Sequence, residues 1–278
     1  MKAISFQGMY GAYSDLVCRK FYKYYKTIPC KTFEETLNAV VSNRSSIAMI
    51  PVENSIAGKV ADMHLLLEKT NLKIIAEYHH KIEHHLLGKH QSKLRDIQDV
   101  YSHVHALTQC KKNILRTKLN PINFIDTAGA ASYIANSVKI SDGAIASELS
   151  AKIYNLTVLK RNMEDSPKNI TRFIVFSKEF GTVSIKKKVI TTLVFNTRNL
   201  PASLYKALGG FATNGINLTR LENFFSNKNF EQSSFLIDVE SHPEKGSFIN
   251  AYEELKYYSS KVKILGYYEA SDYRSLIN

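Results

Sequence analysis

The feature that most restricts the fold is a change of rhythm near Lys188. Before it, short apolar strands run repeatedly into polar or glycine-bearing turns and then into amphipathic helices. Ala3 to Phe6 leads into Gly8-Met9-Tyr10-Gly11-Ala12-Tyr13-Ser14. Ser46 to Ile50 leads into Pro51-Val52-Glu53-Asn54-Ser55-Ile56-Ala57-Gly58, with a helix expected at Leu65-Leu66-Leu67. Val100-Tyr101 opens into Ser102-His103 and a helix carrying Gln109, Ile122 to Ile125 into Asp126-Thr127-Ala128, and Gly143 to Ala146 into Ser147-Glu148. Strand and helix alternating in this way specify α/β layers around a parallel sheet. Ligands of such sheets sit outside the strands' carboxyl ends, where helix N-termini offer unpaired N–H groups to anions. These loops can therefore converge on one acid.

Beyond Lys188 the pattern becomes β-α-β-β-α-β. Val189 to Asn196 reads as a strand, and Leu204, Leu208 and Phe211 mark one helix face that Gly215 ends. Ile216 to Glu222 and Ser234 to Val239 are strands. Phe248, Ala251, Leu255 and Tyr258 form a second helix face capped by Ser247, and Val262 to Tyr267 is the last strand. Residues 189–278 thus predict a ferredoxin-like sandwich, whose sheet edge and apolar face invite pairing with a second copy.

Composition narrows the function classes. The 278 residues are 44% hydrophobic and 22% charged, ordinary for a globular chain and long enough for a catalytic region plus a smaller unit. No apolar run approaches the roughly 18 residues a membrane span needs, and the strand at Ala3 leaves no room for a leader, so a cytoplasmic protein is expected. Cys18, Cys30 and Cys110 are widely spaced and read as buried free thiols. The net charge of +12 is spread along the chain, densest at Lys186 to Lys188 where a linker should fall, and reads as compositional bias. The stretch from Tyr78 to His85 is rich in histidine, but strand alternation allows at most two of these rings plus Glu83 on one face, so it reads as a surface or cleft-edge strand. Gly8-x-x-Gly11 lacks the third glycine and acidic partner of a dinucleotide fingerprint and reads as a tight turn near the ligand.

At Asn169-Ile170-Thr171-Arg172-Phe173 a polar triplet interrupts an apolar strand. Period two puts Thr171 and Phe173 on one face and Arg172 on the other. Taken in order with Pro51 to Gly58, Ser102-His103, Gln109-Cys110 and Asp126-Thr127-Ala128, this Thr-Arg-Phe triplet resembles the prephenate dehydratases. The resemblance runs over essentially the whole chain. Leu204-Tyr205-Lys206-Ala207-Leu208 and Gly215-Ile216-Asn217-Leu218-Thr219 are similar to an ACT domain.

That resemblance implies a catalytic region at residues 1–182, two lobes folded like type II solute-binding domains. The first lobe takes about 1–77 and 171–182, the second about 78–170. An ACT regulatory unit follows at 189–278. It implies loss of water and carbon dioxide from prephenate to give phenylpyruvate, without a metal or other cofactor. Thr171 is then the leading donor to the departing hydroxyl and Phe173 the apolar wall. Asn54, Ser55, Ser102, Gln109 and Thr127 are uncharged donors suited to substrate oxygens, though each also suits a helix cap or loop bond. Glu53 beside a dianion favours a structural bond over acid duty. Arg172 divides between a carboxylate contact and bracing the strand, and its face of the strand favours bracing.

The ACT resemblance implies L-phenylalanine as effector, bound near Ala202, Ser203, Leu204, Asn217, Leu218 and Glu222, in a homodimer or dimer of dimers. Both effector turns depart from the family pattern: the first reads Ala202-Ser203-Leu204-Tyr205, and Glu222-Asn223-Phe224-Phe225 lacks the arginine and proline. An arogenate dehydratase and a non-catalytic organic-acid sensor stand as rival readings. A nucleic-acid binder comes last, for want of stacking aromatics among basic residues.

Overall fold

The computed structural model describes residues 2–60, 66–67, 69–198, 200–225 and 233–276. Packing divides the chain into one unit of residues 1–60 with 79–173 and a second of 61–78 with 174–278.

The first unit is two-lobed, each lobe with its own sheet. In one lobe β1 (Ala3–Gln7) lies between β2 (Lys26–Cys30) and β3 (Ile47–Asn54), all parallel, with Ser5 level with Ile28 and Ala48. Because β1 is central its side chains are buried on both faces, Ala3, Ile4 and Phe6 as apolar groups and Ser5 by donating to the Thr36 carbonyl at 2.8 Å. Crossovers α1 (Tyr13–Phe21) and α2 (Phe33–Val41) connect the strands. Thr32 starts α2 by accepting the Glu35 amide at 3.0 Å. A short β4 (Gly58–Lys59) folds back on β3, pairing Lys59 with Glu53.

After β5 (Lys73–Lys81) the chain builds the other lobe from β6 (His85–Gly88), β7 (Asp99–Ser102), β8 (Asn120–Asn123), β9 (Asp142–Ala146) and β10 (Thr157–Lys160). The sheet order is β10-β6-β9-β7-β8; β7 runs parallel to β8 and β9, and β6 antiparallel to β9 and β10. Its helices are α3 (Val104–Gln109), α4 (Lys111–Arg116), α5 (Thr127–Asn136) and α6 (Glu148–Ile153). Leu86, Val100, Ile114 and Ile145 fill one side of this sheet, and Leu87, Ala130, Ile134 and Ala144 the other. The strand expected at Ile122 to Ile125 is β8, two residues earlier; its parallel pairing with β7 runs from Asn120 to Asn123, and the Phe124 amide completes the ladder by donating to the Ser102 carbonyl at 2.8 Å. The chain then enters β11 (Ile170–Ser177), whose first residues lie beside β3. Of the helix expected at Leu65 to Leu67, Leu66 and Leu67 are helical and Leu65 lies outside the described residues.

The second unit has the expected β-α-β-β-α-β order: β12 (Val189–Thr197), α7 (Ser203–Thr213), β13 (Leu218–Phe225), β14 (Ser233–Val239), α8 (Gly246–Tyr258) and β15 (Ser259–Glu269). The strands pair antiparallel in the order β13-β14-β12-β15, the ferredoxin-like arrangement. Both helices bury Phe211, Phe248, Ala251 and Leu255 against Leu193, Phe195 and Ile237. They approach closely at Gly210, where an added Cβ would lie 2.9 Å from the Glu254 Cβ. The expected Ser247 cap is corrected: α8 begins at Gly246 after Lys245, so Ser247 lies inside the first turn.

Candidate active site

A cavity of about 320 Å³ opens within the first unit. The Gly8–Ser14 loop, the end of β3, Ile82 and His84 after β5, the start of α3, the turn before α5 and the start of β11 contribute its walls. These are the strand-to-helix junctions of the sequence pattern, brought together because parallel strands deliver their carboxyl ends to one side. Gly11 has a φ of +91°, and an added Cβ there would lie 2.7 Å from the Ser150 hydroxyl, so the loop needs glycine to pack this closely.

Strand alternation places Thr171 and Phe173 in the cleft wall. Arg172 is not in that wall. Its guanidinium is buried, and Nη1 lies 3.7 Å from Glu53 Oε1. The pair ties β11 to the end of β3 from outside the cavity.

Behind Thr171 stands a connected set of side chains. Asn54 accepts at Oδ1 from the Ile56 amide (3.0 Å) and the Ala57 amide (2.8 Å). Its Nδ2 donates to Thr171 Oγ1 at 2.9 Å and to Asn169 Oδ1 at 2.8 Å. Asn169 Nδ2 donates to Gln109 Oε1 at 2.8 Å, and Gln109 Nε2 reaches Asn54 Oδ1 at 3.4 Å. His84 Nε2 lies 2.9 Å from the same Gln109 Oε1, and the Tyr13 hydroxyl 2.7 Å from His84 Nδ1. Asn169 is fully buried and His84 2% exposed, so the set is sealed on the protein side.

The other expected ligands separate. Thr127 opens α5 and lines the cleft beside Asp126, whose carboxylate caps the helix through the Gly129 amide at 2.7 Å. Ser55 does not line it: its hydroxyl donates to the Lys168 carbonyl at 2.6 Å and accepts the Ile170 amide at 3.0 Å, holding the approach to β11. Ser102 is fully buried, donating to the Ile145 carbonyl at 2.6 Å, which joins β7 to β9 rather than reaching a ligand. Tyr13, His84, His103 and His105 all line the cavity, although none is among the ligands expected from sequence, where His103 enters only through the Ser102-His103 pair and His84 only through the histidine-rich stretch. A strand reading of Tyr78 to His85 hides His84, because β5 ends at Lys81 and the chain turns before β6.

In the second unit, Ala202 starts α7 in a left-handed conformation (φ +61°), and Ser203 and Leu204 form the first turn. Asn217 donates to Glu240 at 2.9 Å, while Leu218 packs against the core. The buried Glu222 carboxylate accepts from Arg220 Nη2 at 3.1 Å.

Burial dominates the electrostatics of the cleft. It pushes the His84 imidazole down to about 4, against the opposing pull of its Gln109 bond. It likewise lowers His103, with His105 adding to the effect, and raises the Tyr13 phenol and the Cys110 thiol behind the wall. Among the described lining residues there is no lysine or arginine. The cavity therefore meets a ligand with amides, hydroxyls, imidazoles and the uncapped N-terminus of α1, and with one carboxylate, Asp126, that is engaged in capping α5.

The family model for prephenate dehydratase matches residues 4–180. The bifunctional N-acyl-homoserine lactone acylase/prephenate dehydratase of Komagataeibacter europaeus is 42% identical over 274 residues, covering 98% of each chain. Arogenate dehydratase/prephenate dehydratase 1 of Arabidopsis thaliana is 35% identical, over 95% of this chain and 71% of its own length. The solved structure of prephenate dehydratase from Arthrobacter aurescens in complex with L-Phe superposes with a TM-score of 0.88 at 26% identity, covering 97% of this chain and 90% of that one. The chain belongs to the prephenate dehydratase family and is a carbon–oxygen lyase of the hydro-lyase class.

Proposed function

We propose that this chain converts prephenate to phenylpyruvate, and that Thr171 delivers the proton. The observation that carries the reading is the state of its hydroxyl: Oγ1 accepts from Asn54 Nδ2 at 2.9 Å, while no described protein acceptor takes its own proton. That proton is available to a substrate oxygen. In the reaction the electron pair of the bond to the ring carboxylate closes the aromatic ring as the ring C–O bond breaks. Carbon dioxide leaves, and the hydroxyl departs as water with one added proton, so one proton is consumed per turnover. Thr171 hands its proton to that oxygen and regains one from solvent, since a hydroxyl is too weak an acid to act as the final source. The Asn54 N–H donated to Oγ1 stabilises the negative charge that develops there.

Phe173, only 1% exposed, gives an apolar wall beside which a dianion loses hydration. The first-turn amides of α1 supply the opposing positive dipole without the permanent charge of a lysine. Family membership favours an enzyme over the sensor reading.

We assign residues 1–182 to catalysis and 189–278 to an ACT-type module. The L-Phe complex of the Arthrobacter relative supports phenylalanine as effector. The Arg220–Glu222 pair means that an effector amino group at Glu222 competes with a guanidinium already in place. The place of β13 at the end of the sheet order among the described residues supports the reading of a homodimer or dimer of dimers. Three buried free thiols suit the reducing cytoplasm.

The deciding assay mixes purified protein with prephenate, and separately with arogenate, and follows phenylpyruvate or phenylalanine, with and without millimolar L-phenylalanine. Thr171→Ala is expected to lower kcat far more than it alters KM. Full turnover by that variant would remove Thr171 from the chemistry.

A further inference from the structure

The amides behind Thr171 each have two orientations, and only one leaves the threonine proton free. What selects it can be traced donor by donor. The Ile56 and Ala57 backbone N–H groups must meet an oxygen, which fixes Asn54 Oδ1 toward them and Nδ2 toward Thr171 and Asn169. Facing that NH2 group, Asn169 must present Oδ1, so its own Nδ2 points at Gln109. Gln109 must then present Oε1 to Asn169, and the same oxygen lies 2.9 Å from His84 Nε2. Facing that oxygen, Nε2 must carry hydrogen. In a neutral ring Nδ1 is then a bare acceptor, and the Tyr13 hydroxyl, 2.7 Å away, donates its single proton there rather than to the Glu83 carbonyl at 3.0 Å.

We propose that His84, held by Tyr13 as the neutral Nε2–H tautomer, is a positioning residue that locks the Gln109, Asn169 and Asn54 amides in the one orientation that leaves the Thr171 proton directed at substrate. The assignment rests on Thr171 as the proton donor. In this assignment His84 acts on the reacting atoms through Gln109: its ring borders the cavity, but it is only 2% exposed and both its nitrogens are engaged, by Gln109 and by Tyr13. With the His84 donor lost, the Gln109 amide can turn over and bring an N–H against Asn169 Nδ2, which displaces Asn169 from the bond it accepts from Asn54 and leaves the Asn54 Nδ2 contact to Thr171 less well held. A buried imidazole with its two nitrogens engaged in opposite senses pins the far end of the network, as the loop amides pin the near end.

The test compares three substitutions at one position. His84→Ala is expected to lower kcat about tenfold or more with KM within about threefold. In His84→Gln the amide nitrogen replaces Nε2, so a donor to Gln109 is restored and most of kcat returns. In His84→Asn the shorter amide replaces only Nδ1 and fails to rescue. Rescue by asparagine but not glutamine, or an alanine variant with unchanged kcat, overturns the proposal. Nitrogen-15 NMR of the full-length wild type reads the tautomer without any turnover: protonated Nε2 and bare Nδ1 are expected, and the reverse assignment overturns the proposal. A wild type that turns over neither prephenate nor arogenate, yet shows the expected tautomer, refutes the reaction reading and His84's kinetic role with it, while leaving the direction of the hydrogen bonds established.

Discussion

Asn54→Asp is the most exacting single-atom test of the cleft. It keeps the oxygen that accepts the Ile56 and Ala57 amides and exchanges only Nδ2 for oxygen. That atom lies 2.8 Å from Asn169 Oδ1, 2.9 Å from Thr171 Oγ1 and 3.3 Å from the Ile170 carbonyl, so two short donated hydrogen bonds and a longer third become oxygen–oxygen contacts. The Thr171 proton then turns to the new carboxylate and is withdrawn from substrate. At about 1–3 kcal/mol for each part-buried bond, partly offset by that new donation, the two short bonds together amount to about 3–4 kcal/mol, a loss in kcat of roughly 100- to 1,000-fold. The new charge also repels a dianion, so KM rises. Asn169 Oδ1 and the Ile170 carbonyl, both acceptors beside the new oxygen, favour the protonated carboxyl, which can again donate one hydrogen bond. Variant kcat should therefore increase as pH falls, opposite in sign to any loss caused by unfolding. Initial rates of phenylpyruvate formation from about pH 5 to 8.5, with circular dichroism to confirm folding, read the outcome. A folded Asn54→Asp variant within about threefold of wild-type kcat at pH 8 would refute the donor role of Nδ2.

Two further expectations concern stability. Ser102→Ala removes the donor to the Ile145 carbonyl in a fully buried site and should cost about 1–3 kcal/mol, read as a lower Tm, with kcat unchanged; impaired turnover at an unchanged Tm would return Ser102 to the cleft. His84 has its pKa lowered from 6.5 to about 4, so the unfolded chain takes up a proton that the native state refuses. Stability is therefore full above about pH 6.5 and declines as pH falls toward 4, by on the order of 3 kcal/mol for this ring. His80 is lowered in the same direction, so His84→Gln should flatten the acid limb of a Tm-versus-pH curve only in part, and an unchanged slope would contradict the burial of His84 as its cause.

Much of this protein is legible from residue order alone. Strand-to-helix alternation up to residue 180 and the β-α-β-β-α-β run after it follow from apolar periodicity, which is local, and both sheets are present in the structure. Period two along β11 was enough to separate Arg172 from Thr171 and Phe173, because a strand's alternation survives folding. Exact ends were less legible: β8 ends where its pairing with β7 ends, at Asn123, and α8 starts before Ser247 with no side-chain cap to mark the place.

Which polar side chains meet in the cleft was a different matter. Ser102 and Thr127 occupy equivalent strand-to-helix junctions, yet a neighbouring carbonyl on β9 captures the Ser102 hydroxyl while Thr127 stays on the cavity wall. Asn54, Gln109 and Asn169 converge from segments 55 and 60 residues apart, and Tyr13 and His84 join them across 71. No local pattern encodes those distances. Sequence by itself determined the layers and the face of each strand, because these depend on spacing within one element. Tertiary structure alone decided which donor faces which acceptor, because a hydrogen bond's direction is set by the partner the fold brings within 3 Å of it.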